Sequence, residues 1–251
     1  MPSKKSKRRK KSRFARWRAK IRLPSFLTLF KWGVMAVLGF VIVSIFWVVS
    51  LRFVPAPGTT LMVMRSWSGQ EISREWVRLE DISPELVRAV IAAEDTKFCT
   101  HRGFDVEQIR KALDDAAEGK RLRGASTISQ QTAKNVFLWP GRGFVRKGLE
   151  AWYTLLIETF WPKSRIMEMY LNVAEWGDGY FGAEAAAHGR FGRDAAALSS
   201  YQASLLAAVL PNPHDWRADN PGPYVRKRAG TLQARMRVVA RDGLADCVLV
   251  K

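Results

Sequence analysis

At 251 residues with 47% hydrophobic side chains, the chain is long and apolar enough for one folded domain with short additions. Its formal charge of +18 is uneven, because residues 1–31 contain thirteen Lys and Arg and no acid, which leaves +5 for the rest. The excess charge therefore belongs to a tail, and a basic nucleic-acid-binding domain is disfavoured. The two cysteines and three histidines show no zinc-ligand spacing, which disfavours a zinc-stabilised domain.

Residues 1–31 predict a disordered basic tail, and residues 32–51 form an uncharged apolar run of twenty residues. A helix of that length spans a bilayer core of roughly 30 Å. A signal peptide is the alternative, but its apolar core would be only about 7–15 residues long. The sequence after the run, RFVPAPG, also offers a poor cleavage site. We expect an uncleaved single transmembrane helix with a cytoplasmic N-terminus, and a tail placed to contact membrane lipids.

Residues 52–80 are expected to form a linker with short strands at 60–64 and 76–79. The domain that follows, residues 81–251, has an almost wholly helical pattern. A glycine-rich turn region is expected at 172–182. The predicted helices begin at Pro84 and then cover residues 105–118, 126–137, 145–161, 164–171, 199–210 and 224–241.

Glu94, at the end of the predicted helix that begins at Pro84, is the main candidate for a catalytic residue. Ser83 is a suitable N-cap and Pro84 a suitable first helical residue. Apolar residues then recur at helical spacing, and Glu94 occupies the next position of that stripe. Its carboxylate should face a cleft near the helix C-terminus, where the helix dipole disfavours negative charge. Such a group suits proton transfer, although a solvated Glu at a frayed helix end is the ordinary alternative.

Glu94 also begins a recognisable motif. Together with Asp95, Phe98, His101 and Gly103 it forms E-D-x-x-F-x-x-H-x-G. This pattern resembles the first motif of the peptidoglycan glycosyltransferases, which polymerise lipid-linked cell-wall precursors. The resemblance implies a mainly α, lysozyme-like helical domain on a single N-terminal transmembrane helix. It also implies that Asp95, Phe98 and His101 contribute to substrate binding.

A second segment, residues 124–135, reads GASTISQQTAKN. Ser126 is expected to cap a helix whose free N–H groups can face an anion, although an ordinary capped helix has the same pattern. The segment resembles the family motif G-x-S-T-x-x-Q-Q. The resemblance implies that Lys134 contacts the donor pyrophosphate, that the glutamines line the cleft, and that Ser126 and Thr127 bind substrate with them. The matching residues are Gly124, Ser126, Thr127, Gln130 and Gln131.

A third segment, residues 141–150, matches R-K-x-x-E through Arg146, Lys147 and Glu150. Arg146 and Glu150 are four residues apart, and the ordinary interpretation is a surface ion pair worth about 0.2–0.5 kcal/mol. With Arg142 nearby, the three cations instead indicate a phosphate-binding cluster. The resemblance assigns Arg142 and Lys147 to the pyrophosphate. It assigns Glu150 as a second essential carboxylate, near the phosphates or near Mg²⁺ or another divalent cation.

Residues 163–182 resemble a fourth family segment, in which Glu168 is expected to orient loops and Asn172 to bind substrate. Residues 198–213 fit a fifth, with a buried helix. The five segments extend from about residue 65 to 240. The chain contains no S-x-x-K sequence, so a transpeptidase domain is not expected, and the resemblance is to the monofunctional biosynthetic enzymes.

The resemblance implies transfer of the growing lipid-linked glycan chain to the 4-hydroxyl of lipid II. A β-1,4 link forms and undecaprenyl pyrophosphate leaves. Glu94 is the expected base. The alternatives are a lysozyme-like hydrolase or lytic transglycosylase, which also needs two carboxylates, and a non-catalytic scaffold of cell-wall synthesis.

The expected location is the bacterial inner membrane, with the catalytic domain in the periplasm. The expected partners are lipid II, membrane lipids and cell-division or wall-synthesis proteins, and nucleic acid is not expected. Cys99 and Cys247 are expected to be free thiols, although an extracytoplasmic domain leaves a disulfide open.

Overall fold

The computed structural model describes residues 25–119 and 126–249. Of the tail of residues 1–31 that was expected to be disordered, residues 26–31 are helical. Residues 1–24 of that tail and the predicted role of Gly124 fall outside the described ranges. The chain divides into two units, residues 1–44 and 45–251. The boundary lies within helix α1, Phe26–Leu51, which is longer than the predicted span of 32–51 and includes Lys31. With a mean hydropathy of 2.7 over its most apolar window, α1 is long and apolar enough to cross a membrane.

The second unit is mostly helical, as the sequence predicts. The predicted helices are all present within a few residues of their expected limits, and the three short helices α2, α8 and α11 are additional. Its elements in chain order are α2 Thr60–Trp67, β1 Ser73–Arg74, α3 Pro84–Glu94, α4 Val106–Ala117, α5 Ile128–Phe137, α6 Phe144–Phe160, α7 Lys163–Val173, β2 Glu175–Gly177, β3 Tyr180–Phe181, α8 Ala183–Phe191, α9 Ser200–Val209, α10 Pro223–Arg241 and α11 Asp246–Leu249.

Neither of the two strands predicted at residues 60–64 and 76–79 is present. Residues 60–64 belong to α2, because the Thr59 side chain accepts a hydrogen bond from the Met62 N–H and caps a helix there. Residues 76–79 are also not a strand, and a short 3₁₀ turn begins at Leu79. The actual sheet is β1-β3-β2, with β2 and β3 inside the expected turn region. Strands of two or three residues are too short to show an alternating pattern.

The core forms where α3 packs between α9 and α10. The apolar stripe of α3 is fully buried, as its spacing predicts, with Val87, Val90 and Ile91 at 0% exposure. A second group of helices packs beside it, with α5 in contact with both α6 and α7. The C-terminal end of α3 therefore lies next to α5, and this junction positions Glu94.

Cys99 and Cys247 form a disulfide with a Cα–Cα distance of 5.6 Å, so the expectation of free thiols was wrong. The bond joins the turn after α3 to α11. Its residues are separated by 148 positions in sequence, and a separation of that length carries no information about distance in space.

Candidate active site

Glu94 is the last residue of α3 and is half-buried. Its Oε2 accepts a hydrogen bond of 2.8 Å from Nε2 of Gln131, on α5. It lines a pocket of about 220 Å³, together with Thr96, Ser126 and Arg235 among others. The structure thus places the carboxylate at the edge of a cleft with one amide holding it, as its position on the apolar stripe predicts.

Asp95 and His101 hold the turn that follows Glu94. The buried Asp95 accepts a hydrogen bond of 2.9 Å from His101 Nε2 through Oδ2, and the same oxygen accepts one of 3.0 Å from the Ile128 N–H, at the start of α5. His101 Nδ1 in turn accepts a hydrogen bond from the Gly103 N–H at 3.1 Å. These contacts connect the end of α3 to the beginning of α5. Substrate binding by Asp95 and His101 stays a prediction, while their observed contacts position Glu94 and Gln131.

The N-cap of α5 is Thr127, so the expectation that Ser126 caps this helix was wrong by one residue. Thr127 forms a capping box with Gln130, and its hydroxyl also donates a hydrogen bond of 2.6 Å to the Gly103 carbonyl. Gln130 lies three residues after Thr127, as a capping box requires, whereas Ser129 lies at that spacing from Ser126, so the local sequence favours Thr127. Ser126 remains exposed and lines the Glu94 pocket, where a hydroxyl can meet a substrate.

Gly103 itself occupies a position that requires glycine. Its φ of +86° lies in the left-handed region, and a Cβ there would be 2.8 Å from Cγ2 of Thr154. The turn after Glu94 therefore packs closely against α6, which carries Glu150. The two halves of the site are connected through this contact.

Phe98 and Asn172, both expected to bind substrate, are fully buried. The Lys163 ammonium lies 4.5 Å from the centroid of the Phe98 ring. The Asn172 amide exchanges two hydrogen bonds of 2.9 Å with the Val77 backbone. Neither side chain is accessible to a substrate. We therefore correct their role from substrate contact to structural support.

Glu150 is 3% exposed, and both of its oxygens meet cations. Arg146 Nη1 lies 3.1 Å from Oε2, and the Lys147 ammonium contacts Oε1. The ordinary interpretation, a surface ion pair along one helix, was therefore wrong. Burial makes this carboxylate the anchor of two cations, and their remaining donors are free to bind an anion.

Lys134 is on α5, three residues after Gln131, whose amide holds Glu94. Burial lowers the pKa of the Lys134 ammonium; Glu150 and Glu94 raise this pKa, whereas Arg146 and Lys147 lower it. Lys134 is thus within electrostatic range of both carboxylates and both other cations. We refer to Lys134, Arg146 and Lys147 as the cationic cluster. A charged amine that faces other cations in a half-buried site is stabilised by an incoming anion.

Arg142 stands apart from the cationic cluster. It is exposed in the loop before α6, and its side chain has no hydrogen bond or ion pair with residues 25–119 or 126–249. It also does not contribute to the lowered pKa of Lys134. Its predicted contact with pyrophosphate stays a prediction.

The surroundings of Glu150 do not fit a metal held by the protein alone. Mg²⁺ prefers several oxygen ligands in octahedral geometry, whereas the single carboxylate here already has a cation on each oxygen. Within the described ranges, the group of potential metal ligands that comes close enough together is Glu184, His188 and Asp194, which does not include Glu150.

Arg235 is the member of the pocket that sequence reasoning missed. It lies on α10, some 140 positions after Glu94, yet it lines the same pocket, as do Asp105 and Gln108 of the segment that begins α4. The sequence predicts α10 only as an amphipathic helix. Five other basic residues lie on this helix, and basic residues are typical of any solvated helix face, so nothing in the sequence singles out Arg235.

A family model described as Transglycosylase matches residues 60–240. A biosynthetic peptidoglycan transglycosylase of Rhodospirillum centenum is 56% identical over 218 residues, covering 86% of this chain and 94% of the relative. Relatives of the same name from Caulobacter vibrioides and Pseudomonas fluorescens are 56% and 54% identical. These alignments cover 80% and 83% of this chain, and 88% and 89% of the relatives.

Proposed function

The chain belongs to the transglycosylase family and is a peptidoglycan glycosyltransferase, and we propose that Glu94 is the general base of its transfer reaction. The family accounts for the lysozyme-like helical fold and for a lipid II-type substrate. The observation that supports the proposal is the hydrogen bond of 2.8 Å from Gln131 to Glu94. Gln131 lies three residues before Lys134 on α5 and therefore on the same face of that helix, and Glu150 and Glu94 both raise the pKa of Lys134. A proton acceptor and a site for a departing anion are therefore next to each other.

In the proposed reaction, the 4-hydroxyl of lipid II attacks the anomeric carbon of the terminal sugar of the growing chain. The carbon–oxygen bond to the pyrophosphate breaks as the β-1,4 link forms, with inversion. Glu94 accepts the hydroxyl proton, a contribution of about 10²–10⁴-fold for a positioned base. The hydrogen bond from Gln131 fixes the rotamer of Glu94 and leaves its other oxygen, Oε1, for the proton.

The cationic cluster stabilises the pyrophosphate as it gains negative charge. Because the ammonium and guanidinium groups are already held in place, little reorganisation is needed as that charge develops. Glu150 holds Arg146 and Lys147 toward the anion and does not itself transfer a proton. Arg142, exposed on the preceding loop, supplies an additional cation to the outer phosphate.

The proposed reaction does not use a protein-bound metal, because both oxygens of Glu150 are occupied by cations. A divalent cation near Glu150 stays a prediction, in which the pyrophosphate itself supplies most of the ligands. Polymerisation measured with EDTA and then with added Mg²⁺ tests it. Activity that is unchanged by EDTA would contradict a metal requirement.

Both substrates carry polyprenyl chains in a bilayer, and α1 gives the domain a membrane anchor. We propose an inner-membrane location with the basic tail in the cytoplasm, supported by the excess of Lys and Arg before α1. The Cys99–Cys247 disulfide supports a periplasmic catalytic domain, since disulfides persist in oxidising compartments.

A hydrolase is less compatible with this site. A glycosidase needs two carboxylates that can reach the scissile bond from opposite sides. Glu150 is buried and neutralised by two cations, so it is not available as the second one. A non-catalytic scaffold would not explain a half-buried carboxylate beside the cationic cluster, since burying charge without a use is costly.

The test is polymerisation of purified lipid II by the Glu94→Gln variant in detergent. We expect at least about a 10²-fold loss of rate, because the amide cannot accept the proton. Binding of a moenomycin-type donor-site inhibitor should remain. Glu85→Gln, at the other end of α3, is the matched control and should polymerise normally. Full activity in Glu94→Gln would remove Glu94 from the mechanism.

A further inference from the structure

One face of α10 continues the Glu94 pocket along the surface. Six side chains at spacings of one, three and four residues line a groove of about 220 Å³ on this face. We call it the α10 groove. Its last residue, Arg235, also lines the Glu94 pocket, so the two depressions share a wall. The groove residues are Tyr224, Lys227, Arg228, Thr231, Leu232 and Arg235.

The cations of the α10 groove lack counter-charges. The side chains of Lys227 and Arg235 are exposed, and neither forms an ion pair with residues 25–119 or 126–249. Arg228 is half-buried, and its Nε is buried without a hydrogen-bond partner. In contrast, Arg241 at the end of the same helix is paired with Asp242. The groove therefore presents uncompensated positive charge to any molecule that extends from the Glu94 pocket.

The far end of the α10 groove is aromatic. Tyr224 is 59% exposed and its ring centroid lies 5.0 Å from that of Trp216. Such an exposed aromatic face can pack against the apolar face of a pyranose ring. From Tyr224 to Arg235 the helix rises about 16 Å. That length accommodates several sugar rings in an extended chain.

We propose that the α10 groove binds the part of the glycan strand that has already been made, through the carboxylates of its stem peptides. This inference rests on the proposed function. In that reaction the lipid-linked end of the strand occupies the cationic cluster, so the older sugars must leave the Glu94 pocket in another direction. The groove begins in that pocket and carries the charge that complements acidic peptides. An anionic membrane surface is the competing occupant, but it does not explain the continuity with the pocket.

The test is a Lys227→Gln, Arg228→Gln double variant, compared with an Arg226→Gln, Arg237→Gln control. The control removes the same charge from the same helix, at exposed positions on the side away from the groove. Both are assayed for two rates, in neutral detergent and again in vesicles of anionic lipid. One is the first coupling of two lipid II molecules, and the other is addition of lipid II to a preformed lipid-linked oligomer.

We expect the groove variant to lower kcat/KM for the oligomer about fivefold, since individual exposed ion pairs are weak. First coupling should change by less than about twofold, which also shows that the variant is folded. With lipid II whose stem carboxylates are amidated, wild type and groove variant should become equal.

Three results would overturn the inference: equal oligomer rates in the groove and control variants, a loss that persists with amidated substrate, or a loss confined to vesicles of anionic lipid. The last would assign the groove to the membrane. A wild-type chain that fails to couple lipid II at all would refute the proposed function, and this inference with it.

Discussion

Glu150→Gln tests the cationic cluster most directly. Of its two ion pairs, that with Lys147 contributes little, because the Lys147 side chain is 53% exposed and screened by solvent. The pair with Arg146 is different, since these side chains are 4% and 11% exposed. Removing one partner of a buried pair costs about 3–5 kcal/mol, because the other charge stays buried without compensation. The glutamine carbonyl can still accept a hydrogen bond from Arg146, so we expect a loss of about 2–3 kcal/mol in the free energy of unfolding.

The same substitution should also affect Lys134. Glu150 raises the pKa of Lys134 against the lowering effect of burial, so its removal shifts the Lys134 pKa further down. The cationic cluster then loses its orientation, because Arg146 and Lys147 no longer have a carboxylate that holds them. We expect lipid II polymerisation to fall by about 10²–10³-fold, the range found when one preorganised electrostatic contact is lost. Urea unfolding in detergent and a polymerisation assay at pH 7 measure the two effects separately.

Glu168→Gln is the matched control for stability. Glu168 accepts a hydrogen bond of 2.9 Å from the Leu79 N–H and pairs with Arg165, as its expected structural role requires. Its loss should destabilise the domain without reducing polymerisation per folded molecule. The reasoning fails if Glu150→Gln has the same free energy of unfolding and the same polymerisation rate as wild type. It also fails if Glu168→Gln loses activity to the same extent, since activity would then follow stability alone.

Two further predictions concern pH and redox state. Burial lowers the pKa of Lys134, so the affinity for a moenomycin-type phosphate ligand should fall as pH rises through that lowered pKa and the ammonium loses its charge. The Lys134→Arg variant should retain binding to higher pH, because a guanidinium stays charged. Stability should change in the opposite direction from this affinity. Burial of the charged Lys134 ammonium disfavours the folded state, so the contribution of Lys134 to the free energy of unfolding rises with pH. A titration in which that free energy falls with pH would contradict the burial argument. Reducing the Cys99–Cys247 bond, which closes a separation of 148 residues, should cost about 2–4 kcal/mol and lower Tm. A Cys99→Ser, Cys247→Ser variant should be insensitive to reductant, and an unchanged wild-type Tm would show that the bond does not stabilise the domain.

Much of the site follows from local patterns in the sequence. The three- and four-residue recurrence of apolar side chains before Glu94 determines which face of α3 is buried, and therefore where its carboxylate points. The uncharged run before Arg52 likewise determines a helix long enough for a membrane. Helix periodicity and hydrophobic length depend on residues close together in sequence, so they can be recognised without coordinates.

Only the tertiary structure decided which distant residues meet. Glu150 on α6 acts on the pKa of Lys134 because α5 packs against α6. Arg235 reaches the Glu94 pocket, and Cys247 reaches Cys99, through the docking of the C-terminal helices. Packing sets these distances through the summed contacts of the whole core, and no local repeat in the sequence encodes them.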